Sequence, residues 1–114
     1  MIEVKLLQYL KSQITDAEVY GEVPANKPEK YVVFEKTGLS EKNHISMATI
    51  AIRSIAPTLY ESLKLDEEVR HAMESFDTVT NISGVSLNSD TNWTNTTTKE
   101  HRQQAVFLIT YMED

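Results

Sequence analysis

The stretch YVVFEKTGLSEKNHISMATIAIRSI, residues 31–55, decides the fold. Its first part, residues 31–37, is rich in β-branched and aromatic side chains and reads as a strand. Residues 38–43 read as a turn and residues 44–55 as a second, longer strand, so the pair forms a hairpin with a six-residue connection. Along the second arm Ala48, Ile50 and Ile52 share one face, and Ile45, Met47 and Ala51 share the other. Two partly apolar faces mark a central strand, or a strand whose second face meets another subunit.

Working outward, Ile2, Leu6, Leu7, Leu10 and Ile14 recur on one face of a helix that stops near Thr15-Asp16. Val19 and Tyr20 start an extended segment, and residues 23–30, with Pro24 and Pro28, read as a loop. After the hairpin, Ala56, Leu59, Tyr60 and Leu63 form one helical stripe, and Val69, Ala72, Met73 and Phe76 form another. The stripes are out of phase across Lys64-Leu65. Asp66, followed by two glutamates, has the chemistry of a fresh N-cap. The expectation is a short helix from Pro57, a break, and a second helix to Phe76. Residues 79–88 alternate loosely as a strand, residues 89–100 are a polar stretch holding Trp93, and residues 103–112 are a strand with Ala105, Phe107, Ile109 and Tyr111 on one face. The 114 residues are expected to form one domain.

Composition removes several functional classes. The chain has no cysteine, which excludes disulfide frameworks, thiol nucleophiles and cysteine-ligated metals. Eleven Lys and Arg stand against seventeen Asp and Glu, a net charge of −6, and no two basic residues are adjacent. A direct grip on DNA normally needs a basic stripe, so the balance argues against it. The longest unbroken apolar run, residues 105–109, is far too short to span a membrane, and the N-terminus lacks the layout of a signal peptide. The three glycines are too dispersed to cradle a phosphate.

No enzyme is expected, since no nucleophile setting or distinctive carboxylate pair is present. His71 has Glu67, Glu68 and Glu74 near it on a helix, which reads as a solvated face of charge pairs. A composite site of His44 and His101 would require the strands they flank to pair. The sequons at Asn81, Asn92 and Asn95 read as turn and edge chemistry. Trp93 either folds back onto its own core or anchors a partner. Arg102 either keeps a strand edge polar or pairs with a neighbouring subunit's carboxylate.

The order of these pieces resembles the tail-terminator, or tail-completion, proteins of long-tailed bacteriophages and their prophage relatives. The resemblance is carried by the N-terminal helix, VYGEVPANKP (19–28), YVVFEKTG (31–38), NHI (43–45), ATIAIRS (48–54), LYESL (59–63), VRHAM (69–73), VSLNS (85–89) and RQQAV (102–106). It implies an α+β fold, a mainly antiparallel sheet with helices packed on one face. It also implies a structural role: a homo-hexameric ring, formed on assembly from subunits that can be monomeric alone, which caps the head-proximal end of the tail tube. The implied partners are the tail tube protein and the head connector or closure protein, with genomic DNA only passing through the lumen and no membrane. The implied location is the head–tail junction of the virion, reached through assembly in the bacterial cytoplasm. Other phage neck or head-closure proteins and a small cytoplasmic protein-binding domain are the alternatives.

Glu41, Lys42, Asn43 and His44 at the hairpin connection are expected to make subunit or partner contacts. So are Arg53 on its second arm and Trp93, Lys99 and Arg102 around the polar stretch. No catalytic, metal or cofactor residue and no cofactor is assigned. Six copies at −6 carry about −36 in total, a sign that repels phosphate from a lumen.

Overall fold

The structure is a computed structural model that describes residues 1–94, 97–98 and 100–112. In chain order it contains α1 (Ile2–Gln13), β1 (Glu18–Tyr20), β2 (Tyr31–Lys42), β3 (Ile45–Ala56), α2 (Leu59–Met73), a short 3₁₀ turn (Phe76–Thr78), β4 (Ile82–Asn92) and β5 (His101–Met112). The five strands form one sheet in the order β1-β2-β3-β5-β4. Three pairings are antiparallel and the β1–β2 pairing is parallel, so the fold is α+β.

The core lies between the sheet and the helices. Val32 and Phe34 of β2, Ala48, Ile50 and Ile52 of β3, and Ala105, Phe107, Ile109 and Tyr111 of β5 face it. Ile2, Leu6 and Leu10 of α1 and Leu65, Val69 and Met73 of α2 cover them from the same side. β3 sits at the centre of the sheet, and on its second face Ile45 and Met47 remain about half exposed. The Tyr9 hydroxyl donates to the Ala72 carbonyl at 2.6 Å, and its ring lies 5.0 Å from Phe76, tying α1 to the end of α2.

The hairpin differs from its sequence reading. β2 does not end at Thr37: a bulge between Lys36 and Gly38 absorbs one residue, and pairing resumes from Gly38 with Thr49 to Lys42 with Ile45. Residues 38–43 are therefore mostly strand, and Asn43 and His44 alone make the turn. Both have positive φ, 54° and 67°, the geometry of a type I′ turn that matches the twist of the flanking strands.

The expected break in the second helical region is absent. α2 runs unbroken through Lys64-Leu65, and its N-cap is Thr58. The Thr58 side chain accepts from the Glu61 amide at 3.2 Å, and Thr58 Oγ1 and Glu61 Oε2 lie 3.1 Å apart. Pro57 thus precedes the cap instead of opening the helix. Asp66 is buried mid-helix, while Leu59, Tyr60 and Leu63 of the first apolar stripe face solvent and its fourth member, Ala56, is the buried last residue of β3. The helix stops at Met73, so Phe76 belongs to the 3₁₀ turn.

The fourth strand is also displaced from its reading, starting at Ile82 and continuing to Asn92 through the start of the supposed polar loop. Asn81, with φ of 70°, makes the entry turn. Two bulges, between Ile82 and Gly84 and between Leu87 and Ser89, break the regular alternation that a sequence pattern would show.

Candidate functional site

Because both helices cover one face of the sheet, the opposite face carries its own side chains outward. At one end of that face lies a small apolar cluster of Tyr31, Val33 and Ile55 with Tyr20 packed against it. Tyr20 and Tyr31 meet edge to face at 6.0 Å, and burial raises the pKa of the Tyr31 phenol. Tyr31, Ile55 and Arg102 are direct neighbours across β2, β3 and β5, as are Val33, Arg53 and Gln104. Three of the residues expected at an interface, Arg53, Trp93 and Arg102, therefore come together beside the aromatic cluster.

Their geometry is specific. The Arg53 guanidinium carbon lies 4.5 Å from the Trp93 ring centre and that of Arg102 lies 5.6 Å from it. Arg53 Nε donates to Gln104 at 2.8 Å, and its Nη2 reaches Glu35 at 3.3 Å. Arg102 Nη2 donates to Glu100 at 2.9 Å, which holds the Glu100 carboxyl below its usual range. The backbone at Trp93 is tied to β5: the Trp93 amide donates to the Arg102 carbonyl at 2.8 Å. The Thr94 amide and hydroxyl both donate to Asn92 Oδ1, at 3.0 and 2.6 Å. The ring nonetheless remains 46% exposed. Trp93 thus covers two arginines of the sheet instead of entering the main core. A half-exposed Trp flanked by Arg and Tyr has the composition of a binding hot spot. The arginines already hold carboxylates within their own subunit.

Glu41, Lys42, Asn43 and His44 lie at the other end of the molecule, on the hairpin tip. Ser40, Glu41, Lys42, Asn43, Ile45 and Met47 line a shallow depression there. Ile45, Met47 and Met112, which share one face of the sheet, are each about half exposed there. Seven of the eight expected contact residues thus divide between two ends, and the eighth, Lys99, lies outside the described residues. His44 and His101 flank opposite ends of β3, so they form no composite site: Ala56 pairs with His101, whereas Ile45 pairs with Met112. His71 lies 3.8 Å from Glu67 and 3.7 Å from Glu74 on the exposed face of α2, as a solvated charge cluster. Among the described residues no group of three or more His, Cys, Asp or Glu could hold a metal ion, and no helix is long and apolar enough to cross a membrane.

Sequence reasoning missed a third feature. Asp66 of α2 is 2% exposed, and its carboxyl meets that of Asp90 on β4. Arg70 Nε lies 3.3 Å from Asp66 Oδ2 and 2.9 Å from Asp90 Oδ2, bridging the two. Burial, and then the neighbouring Asp90 carboxylate, push the Asp66 pKa up to about 7 against the opposing pull of Arg70. Asp66 Oδ1 is buried without a hydrogen-bond partner among the described residues. The group fastens helix α2 to the edge strand. The Asp66–Arg70 spacing, i to i+4, was visible in sequence, but it is as common on solvated helices.

No protein-family model matches the chain, and no curated protein matches it.

Proposed function

We propose that this chain is the subunit of a hexameric ring that caps the head-proximal end of a bacteriophage tail tube, ends tube growth and presents the surface to which the head connector docks. The reading begins from the resemblance in sequence order. The observation that carries it is the division of exposed contact chemistry between two ends of the same strands. The hairpin tip offers Ile45, Met47 and Met112, and the opposite end offers Trp93 with Arg53 and Arg102. Arg53 and Ile45 lie eight residues apart along β3, about 26 Å in an extended strand. The molecule itself is 45 Å long. A protein that joins a tube to a connector needs two such surfaces facing opposite ways. The acidic balance fits a lumen through which DNA slides without being held.

Two experiments test the reading. Native mass spectrometry over a concentration series, with negative-stain images of the same samples, is expected to show six-fold rings with an open lumen. Added to purified tail tubes, the protein is expected to cap one end and stop elongation. Trp93→Ala is expected to weaken docking at one ring face by about tenfold or more while leaving the circular dichroism spectrum unchanged. A stable closed dimer without affinity for tube ends would overturn the proposal.

A further inference from the structure

We propose that copies of this chain join edge to edge, the free edge of β4 in one copy pairing with the free edge of β2 in the next, with Leu39 set against Val85. This rests on the ring reading above and names the surface that makes the ring.

The sheet has two open edges. β1 pairs with β2 only over residues 31–33, and residues 21–23 flank the next stretch, 33–36. Past the bulge, residues 38–42 of β2 have β3 on one side and, among the described residues, no strand on the other. β4 is the opposite edge and, among the described residues, pairs only with β5. Backbone N–H and C=O groups along such edges are a template for another strand.

The two edges also match. β2, β3, β5 and β4 alternate in direction, so β2 and β4 run oppositely. A second copy in the same orientation brings its β2 antiparallel to β4. The open stretches lie at one level across the sheet. Leu39, Ala48, Ile109 and Val85 form one continuous row, and Ser40, Met47, Thr110 and Gly84 form the next. Gly38, Thr49, Leu108 and Ser86 form the row on the other side. These three rows fall between the bulges of both edge strands. Joining them needs no slide along the strands. A head-to-tail joint without a rise closes into a ring when the rotation per copy divides a full turn, and otherwise gives a filament.

The side chains agree with this register. Leu39 and Leu87 are about half exposed, and their pairing partners Ala48 and Phe107 both face the core, so they sit on the same face at opposite edges. Across the joint Leu39 meets Val85 directly and Leu87 diagonally. The bulges at either end restrict the template to a short stretch, which disfavours pairing with unrelated strands. A joint of three rows, about 10 Å long and about 10 Å deep, covers about 100 Å² per copy, far below the roughly 800 Å² per partner of a stable pair. A dimer held by one joint is therefore transient. Closure adds a joint within an already connected chain of copies, so the ring is the species that persists.

The double variant Leu39→Cys/Val85→Cys tests the joint, because the chain has no other cysteine. Within one copy the two positions are three strand spacings apart, about 14 Å, beyond the reach of a disulfide. Copper–phenanthroline with dissolved oxygen is the oxidant, and Leu39→Cys/Leu63→Cys is the control pair. On non-reducing denaturing gels the test pair is expected to give a ladder that ends at one closed species, at about tenfold the yield of the control. A ladder of indefinite length would support the joint while overturning the ring reading. Wild-type rings that assemble unchanged in Leu39→Asp, with no cross-link in the test pair, would overturn the joint and leave the ring reading standing. Neither rings nor cross-links at millimolar protein would also overturn the joint.

Discussion

Asp66 is the residue whose environment departs furthest from its sequence context. Its carboxyl is buried against Asp90, and its pKa rises from the usual 3.8 to about 7. Between those values the folded chain keeps a proton that the unfolded chain releases, so stability falls as pH rises from about 4 to about 7 and the loss is complete above that. Asp66→Asn retains the shape, donates to Asp90 and carries no charge. It is expected to flatten the pH dependence of the melting temperature between pH 5 and 8 and to add about 2–4 kcal/mol of stability at pH 8. An unchanged slope would show that the proton resides elsewhere. The sequence does not reveal this group because Asp66-Glu-Glu has the composition of a helix start. What makes Asp66 interior is a strand residue 24 positions later, Asp90. Trp93 is the contrasting case, flagged by a lone aromatic in a polar stretch. Its two arginine neighbours come from β3 and β5 and become adjacent only when those strands pair.

At the scale of elements, periodicity was sufficient for α1, β3 and β5, where buried faces run without interruption. It failed where a local device interrupts the count. The bulge near Thr37 hides the second half of β2, and Gly38 imitates a turn residue although its φ is not positive. The true turn, Asn43-His44, places a histidine in the left-handed region. Gly is the preferred second residue of a type I′ turn, so His44→Gly is expected to stabilise the hairpin by about 0.5–1 kcal/mol in chemical denaturation. A loss would mean that the His44 side chain itself holds the tip. In α2 the misleading signal was the exposed stripe of Leu59, Tyr60 and Leu63, which suits a helix start but does not meet the core. The real start is the Thr58 N-cap, whose hydroxyl oxygen accepts from the Glu61 amide, and Thr58→Ala is expected to cost about 1 kcal/mol by the same measurement.

At the scale of the whole molecule, two kinds of subunit contact make opposite predictions about salt. The edge joint consists of main-chain hydrogen bonds and the Leu39, Val85 and Leu87 side chains, with little charge of its own. Copies at −6 repel one another as they approach, and that repulsion fades once the screening length falls below the subunit spacing. Raising sodium chloride from about 20 to about 300 mM, over which the screening length drops from roughly 20 to roughly 6 Å, is thus expected to move ring assembly to lower protein concentration, by about three- to tenfold. A joint made instead by Arg53 and Arg102 exchanging their own Glu35 and Glu100 for a neighbour's carboxylates would weaken over the same range. Sedimentation velocity across the salt series separates the two. Assembly that strengthens with salt leaves the Trp93 surface free for the tube or the connector. Assembly that weakens transfers that surface to the subunit interface, and the two-ended docking argument then loses one of its ends.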